Sequence, residues 1–289
     1  MTDASVSVVV PTFNRAGSLD RLLHAIACCE QPSGGFDVIV VDDGSTDQTA
    51  EVVERHPGVR YLRQQNSGPA TARNRGWRSA QGDVVVFTDD DTLPDRRWLV
   101  ELVEDLGSMD AVGGQVRPLV PGYLADFVQL EQHVSHGVDD DGVRYLVTAN
   151  CAWRRRALEE LEGFDEGFSD ASGEDTDLTL RARAAGLSLG VTPRAAVAHD
   201  NRTSLRGLMR TYFKHGRSRR AVVVANPSAG WGARRRSMLG PAYWLRRYRY
   251  YRAAGVSRAR ALGYVALRLI GLTAYAAGIV VSRGRHNRW

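Results

Sequence analysis

Between residues 6 and 91, short apolar runs alternate with helical patterns, and every run ends in a polar segment. Residues 6–10 form a strand-length, valine-rich run closed by Pro11, as expected of a strand buried on both faces. Ser18 can cap a helix whose apolar residues Leu19, Leu22, Leu23 and Ile26 share one face. Residues 38–41 read as a second strand, and 48–55 as a second helix after the turn Gly44-Ser45-Thr46-Asp47. Residues 59–62, 70–80 and 84–87 continue the alternation as strand, helix and strand. This order predicts an α/β fold with a parallel sheet covered on both faces. The chain has 289 residues, 43% hydrophobic and 25% charged. That suits one α/β domain with an appendage or two modest domains, and excludes collagen-like, coiled-coil and wholly disordered chains.

The strand ends carry the chemistry. Pro11-Thr12-Phe13-Asn14, Asp42-Asp43-Gly44-Ser45, Gln64-Gln65-Asn66-Ser67-Gly68 and Asp89-Asp90-Asp91 all fall at strand carboxyl ends, the edge where open α/β sheets bind ligands. Any one such loop is ordinarily a turn; four on one edge, with five aspartates among them, are more than turns require. Adjacent carboxylates after a buried strand repel one another unless a cation is near. Hard oxygen donors suit Mg²⁺ or Mn²⁺, which typically takes one or two carboxylates plus substrate phosphates. No glycine-rich loop ending Gly-Lys-Ser/Thr is present, and no Gly-x-Gly-x-x-Gly follows the first strand. An ATPase and a nicotinamide dehydrogenase are therefore disfavoured, and a nucleotide diphosphate would be held through metal and side chains.

Three segments, Val9-Val10-Pro11-Thr12-Phe13-Asn14-Arg15, Val41-Asp42-Asp43-Gly44-Ser45-Thr46-Asp47 and residues 66–76 (NSGPATARNRG), resemble the opening signature of family 2 glycosyltransferases. Asp89-Asp90-Asp91 then matches the family's metal-binding D-x-D, and Asn150, Gly163-Phe164-Asp165-Glu166 and residues 173–178 (GEDTDL) continue the match in order. The resemblance covers roughly residues 5–200. It implies a GT-A fold, a Rossmann-like nucleotide-binding sheet, here with a basic amphipathic helical extension at the C-terminus. It implies inverting transfer from a nucleotide diphosphate sugar, most often a UDP-sugar, in cell-surface polysaccharide or glycolipid synthesis. By the same resemblance Pro11, Thr12, Asp43 and Arg73 would hold base and ribose, with Asn14, Asp89 and Asp90 completing the donor site. Asp91 and His199 would ligate Mn²⁺ or Mg²⁺, and Arg202 would assist the departing diphosphate. Asp175 is the expected base, supported by Glu174. The acceptor would be a saccharide, a lipid-linked molecule or a small molecule. The expected division is a nucleotide-sugar half at residues 1–115, an acceptor and catalytic half at 116–200, and a tail at 201–289. A nucleotidyltransferase or a retaining transferase on a similar sheet remains open, as does a non-enzymatic module that uses the Arg-rich tail.

Several of these residues have plainer readings. Glu174 and Asp175 precede a helical pattern with Leu178 and Ala182 on one face, and acidic residues favour a helix's first turn. The two readings are compatible, since a helix N-terminus keeps a carboxylate ionised. A lone histidine such as His199 is more often structural than ligating. Gly163-Phe164 reads as a turn anchoring Phe164 in the core, with Asp165 on the acceptor side. Asn150, Cys151 and Trp153 are either buried packing or neighbours of the donor sugar. His133 and His136 are a metal pair or, more plainly, acidic loop surface.

Charge is distributed unevenly. Residues 1–199 carry 18 Lys and Arg against 32 Asp and Glu, a net −14; residues 200–289 carry 20 against Asp200 alone, a net +19. The tail must face something anionic: lipid, nucleic acid or the acidic front half. Leu262, Val265, Leu269, Leu272 and Ile279 recur at helical spacing, and the uninterrupted apolar stretch 269–281 is 13 residues, short of the roughly 20 needed to span a bilayer. With neighbouring Trp and Tyr, this reads as a helix lying on a membrane surface or, alternatively, one packed on the catalytic domain or in a dimer interface. No nucleic-acid-binding motif is recognisable, so nucleic acid is not an expected partner; oligomeric state is open. Three cysteines, Cys28, Cys29 and Cys151, suggest reduced thiols in a cytosolic protein. No signal peptide is expected from the opening residues. The expected location is cytoplasmic, peripheral at the inner face of the cell membrane.

Overall fold

A computed structural model describes residues 4–131, 136–139, 142–168, 172–200, 204–227 and 240–285. The chain divides into two units: Met1–Pro121 with Gln132–Asn201, and Gly122–Glu131 with Arg202–Trp289. The segment 122–131, expected with the acceptor half, thus groups with the tail.

The first unit is built on β1 (Val6–Thr12), β2 (Phe36–Asp42), β3 (Val59–Arg63), β4 (Val84–Thr88), β5 (Thr92–Pro94), β6 (Ala111–Pro118), β7 (Gly137–Asp139), β8 (Gly142–Tyr145), β9 (Asn150–Arg154) and β10 (Leu189–His199). Its main sheet has the order β3-β2-β1-β4-β9-β6-β10-β5, with β7 and β8 as a separate pair. The β3-β2-β1-β4 half is parallel, as the alternation predicts. Beyond β4 the sheet is mixed, because β9 runs antiparallel to both β4 and β6, and β5 antiparallel to β10.

Side-chain alternation along β1 feeds two cores. Val6, Val8 and Val10 pack with Leu19, Leu22 and Ile26 of α1 (Ala16–Ala27). Val9 turns to the other face, with Ile39 and Val41 and with Ala72 and Trp77 of α3 (Pro69–Ser79). Gly76 lets α3 approach closely: a Cβ there would overlap Val9. Helices α2 (Thr49–Glu54) and α4 (Trp98–Leu106) join the first layer, while α6 (Arg155–Glu160) and α7 (Glu174–Ala184) contribute to the second.

Ser18 does not cap α1. The helix begins at Ala16 without a side-chain cap from its own N-cap residue, and Asp47, from the loop after β2, accepts the Ala16 amide at 2.9 Å. A tertiary oxygen does the work a local hydroxyl was expected to do.

The second unit comprises α5 (Tyr123–Leu130), α8 (Leu205–Ala225), α9 (Pro241–Ala253) and α10 (Arg258–Arg285). Ser204 caps α8 through the Gly207 amide. Phe127, Leu208, Tyr212, Tyr251, Ala261 and Tyr264 form its core. The carboxylate of Glu131 is fully buried and meets Arg247, Arg268 and the Tyr251 hydroxyl. Asp126 holds Arg260 at 2.8 Å. Part of the tail's positive charge therefore meets the two acids of 122–131, and the unit keeps a net +18 (20 Lys and Arg against Asp126 and Glu131).

Candidate active site

The site grows from the carboxyl ends of β1, β2 and β4. The β5–β10 ladder places His199 opposite Thr92, and the Asp200 amide donates to the Asp91 carbonyl at 2.9 Å. Backbone pairing, not sequence proximity, thus delivers His199 to the triplet. His199 Nε2 lies 3.4 Å from Asp91 Oδ1 and 3.9 Å from Asp89 Oδ2. Donor atoms of Asp89, Asp91 and His199 all fall within 4.8 Å of one another. Two carboxylates and an imidazole in that space fit a divalent cation of the Mn²⁺ or Mg²⁺ kind.

Asp90 faces the other way. It accepts from the Thr12 hydroxyl at 2.7 Å and from Arg15 at 3.0 Å, and Arg15 also pairs with Asp91. Burial pushes the Asp90 carboxyl up to about 6, with Arg15 opposing the shift and Asp91 adding to it. Burial also acts upward on Asp89, but the hydrogen bond with His199 and the charge of Arg73 outweigh it and hold Asp89 well below the carboxylate range. The sequence reading assigned Arg15 no role. Its signal was positional: a cation at a helix N-cap opposes the dipole, so it needs anions close by.

Arg73 is one of the residues expected at base and ribose. It is buried, with one terminal nitrogen on Asp89 Oδ1 at 2.9 Å and the other on Glu174 Oε1 at 2.8 Å. Both nitrogens being committed to carboxylates, it bridges the triplet to the acidic pair.

That pair begins α7, where Gly173 takes φ +100°, a backbone conformation suited to glycine. Asp175 Oδ1 accepts the Thr176 amide at 2.6 Å, so the helix-terminus reading of this carboxylate is met as well. Burial raises the Glu174 carboxyl to about 7 against the pull of Arg73. Burial raises Asp175 too, against the Thr176 amide and Arg73. The helix end, expected to keep this carboxylate ionised, is opposed by desolvation, which raises the carboxyl.

The remaining donor-side residues form a frame. Asn14, at φ +52°, accepts the Thr46 amide at 2.8 Å while its own amide donates to Ser45 Oγ, clamping the β1 end to the β2 loop. Asp43 accepts from Gln64 Nε2, the Ser67 amide and the Gly68 amide at 2.8–2.9 Å, fixing the loop into α3. Asp42 is buried and accepts the Ser45 amide at 2.7 Å. Pro11 is half-buried beside Thr12. Arg202 and His133 lie outside the described residues.

Other candidates resolve as packing. Asn150 donates to the Gln115 and Ala195 carbonyls and accepts from Trp98 Nε1. Cys151 is fully buried, its thiol pushed up to about 12 by desolvation, no state for a nucleophile. His136 is not loop surface: it bridges the Gly114 carbonyl and the Val147 amide, and burial lowers its pKa to about 4. Phe164 packs edge-on against Phe87 at 5.1 Å, as its turn predicts. Asp165 accepts the Gly167 amide within that turn.

A half-parallel sheet whose edge joins an acidic triplet to a second acidic pair defines a GT-A fold. Solved structures agree on that fold. A mannosyltransferase from Pyrobaculum calidifontis, in complex with GDP-Man and Mn²⁺, superposes with a TM-score of 0.64 at 22% identity, over 96% of this chain and 87% of that one. Staphylococcus aureus TarS 1-349 in complex with UDP-GlcNAc gives 0.57 at 18% identity, over 97% and 92%. The sequence profile of glycosyl transferase family 2 matches residues 7–161. This chain belongs to that family. The pre-mycofactocin glycosyltransferase of Mycobacterium tuberculosis is 34% identical over 235 residues, 77% of this chain and 48% of the relative. Glycosyltransferase AglE of Haloferax volcanii is 29% identical over 205 residues, 68% and 64%. The chain spans about half the length of the first of these relatives and under two thirds of the second.

Proposed function

We propose that this chain transfers a sugar, with inversion, from a nucleotide diphosphate donor to an acceptor hydroxyl by metal-assisted single displacement. The observation that carries the reading is Arg73, one side chain holding both Asp89 of the cation cluster and Glu174 of the acidic pair. Donor and acceptor chemistry are thereby fixed to one another.

Thr12, Pro11, Asn14, Asp43 and Asp90 form the wall against which base and ribose lie. Asp91 and His199, with Asp89 beside them, would hold Mn²⁺ or Mg²⁺, which supplies Lewis-acid neutralisation of the leaving diphosphate. Arg202 is the proposed guanidinium on that diphosphate. Asp175 takes the acceptor's hydroxyl proton as the new glycosidic bond forms and the anomeric bond to the diphosphate breaks. Glu174, pinned by Arg73, supports it. A raised carboxyl pKa suits this role, because the base must be ionised yet still attract a proton near neutral pH.

The donor is proposed to be a UDP-sugar. Neighbours of the same fold that bind GDP-Man and UDP-GlcNAc support the nucleotide-sugar class. The acceptor is a saccharide, a lipid-linked molecule or a small molecule, in cell-surface polysaccharide or glycolipid synthesis. Residues 1–115 serve the donor and 116–200 the acceptor and catalysis, apart from 122–131, which join 201–289 as a membrane element. The enzyme works in the cytoplasm, peripheral to the inner face of the cell membrane.

The test is a panel of nucleotide sugars with Mn²⁺, scored for hydrolysis and transfer. Asp175→Asn should bind donor as the parent does and lose about 100-fold or more in turnover. An Asp175→Asn protein that transfers normally would end the base assignment.

A further inference from the structure

We propose that α10 is a monotopic anchor, lying in the plane of an anionic lipid leaflet with its outer stripe sunk in the acyl boundary, and that it does not cross the bilayer. This deepens the membrane contact proposed above and rests on it. The occupant of the stripe is phospholipid.

The stripe itself is the first observation. Leu262, Leu269, Ile270, Val280 and Val281 are 62%, 54%, 48%, 65% and 44% exposed. They succeed one another along one side of α10, and from 262 to 281 they extend about 28 Å at 1.5 Å per residue. The only ionisable side chain with a formal charge in that interval, Arg268, turns inward to Glu131. Val265, Leu272 and Ile279, which the sequence pattern put on the same apolar face, are half-buried. An apolar stripe this long in contact with water marks an interaction site.

The second observation sets the orientation. Arg258–Ser282 contains an 18-residue window of mean hydropathy 1.8 and has the length to cross a membrane. Yet α10 packs closely along α8. Gly216 abuts the Tyr275 backbone, Gly278 the Phe213 carbonyl, and Gly271 the Tyr212 ring, so no side chain fits at these crossings. The two helices must therefore move as one body. α8 bears Arg206, Arg210, Lys214, Arg217, Arg219 and Arg220. Placing α10 across the hydrocarbon would carry those cations in with it, each strongly disfavoured near the bilayer centre. Lying in the plane keeps α8 in the headgroup region and the stripe in the acyl layer.

Charge selects the lipid. The unit's net +18 calls for an anionic surface, and Arg258 and Arg283 bracket the stripe in sequence. The same unit of a second copy, equally positive, would be repelled, which disfavours pairing of stripe against stripe.

Co-sedimentation of the full chain with phosphatidylcholine vesicles, with and without phosphatidylglycerol, tests this. Binding should require phosphatidylglycerol, weaken with salt, and be released by alkaline carbonate. Leu269→Glu/Ile270→Glu should lower partitioning by about 100-fold or more, since two apolar insertions are lost, with Tm preserved because both positions are exposed. Val280→Glu gives an independent arm and should act in the same direction. Retention after carbonate treatment would overturn the in-plane orientation. A dimer by light scattering that these substitutions dissolve, with no vesicle binding by the parent, would assign the stripe to a second copy and overturn the proposal. Hydrolysis of donor in solution is measured on the same preparations. It reads the catalytic proposal alone, so its loss with vesicle binding intact would sink that reading and leave the anchor standing.

Discussion

Replacing Arg73 by Met should destabilise the first unit in a pH-dependent way whose sign follows from Glu174. Arg73 is buried and compensates two carboxylates, Asp89 and Glu174, the latter 4% exposed at its side chain. Removing one partner of a buried ion pair typically costs about 3–5 kcal/mol, because the other charge is stranded. For a unit of this size that is roughly 6–20 °C in Tm. Glu174 already has its carboxyl raised from 4.5 to about 7 by burial, with Arg73 pulling it down. A carboxyl raised on folding contributes stability that is fully present below its unfolded value and lost as pH rises through its folded value. Without Arg73 the folded value rises further, so near neutral pH the stranded group protonates instead of remaining charged. Arg73→Met should therefore cost little at about pH 5.5, chiefly the lost hydrogen bonds at roughly 1 kcal/mol each, and the full penalty at about pH 8.5. Asp89 keeps His199 Nε2 within 3.9 Å in the variant. Fluorimetric melting across that range reads the effect, with Arg73→Met/Glu174→Gln as the companion. The double variant should recover much of the alkaline loss. A penalty equal at both pH values, or no recovery in the double variant, would refute the bridge as the source of stability.

The parallel half of the sheet was legible because its signals are local. Apolar runs of strand length, polar ends and helical periodicity all fall within windows of a dozen residues, and β1–β4 follow them to within two residues at each end. The mixed half was not, because β9 is one strand away from β4 in space and over sixty residues away in sequence. Its buried Cys151, Ala152 and Trp153 signal burial without direction. The grouping of 122–131 with the tail is illegible for a related reason: Asp126 and Glu131 look like part of an acidic front half until Arg260, Arg247 and Arg268 are seen to claim them.

In the site, composition at strand ends pointed to the edge that carries the Asp89, Asp91 and His199 cluster, and the order of motifs to the family. Connectivity did not follow from either. Arg73 lies in a motif read as nucleotide-binding, and its side chain also reaches α7, held between the buried Glu174 and the half-buried Asp89. Asp175 shows the same limit: a first-turn acidic residue predicts a favourable dipole, whereas its depth in the site, invisible in the chain, decides the direction of its pKa. His136 was read as surface because its neighbours in sequence are acidic, while its neighbours in space are the Gly114 carbonyl and the Val147 amide.

Gly76→Ala should lower stability by about 1–3 kcal/mol, since the added methyl must displace Val9 of a close-packed β1; a neutral melt would show that α3 can shift. Asp91→Ala should abolish Mn²⁺-dependent donor binding in titration calorimetry while leaving the fold intact, because Asp91 offers an oxygen to the cation cluster and the loss frees only Arg15 and His199. The argument is one of charge. Asp89, Asp90, Asp91, Glu174 and Asp175 face two arginines at this edge, and Asp90 and Glu174 relieve the excess by holding protons more tightly. A cation does the same by direct neutralisation, so adding Mn²⁺ to the parent protein should lower the pH at which Asp90 protonates, measurable as proton release on metal binding. Asp91→Ala should release fewer protons, and equal release from both proteins would place the cation elsewhere.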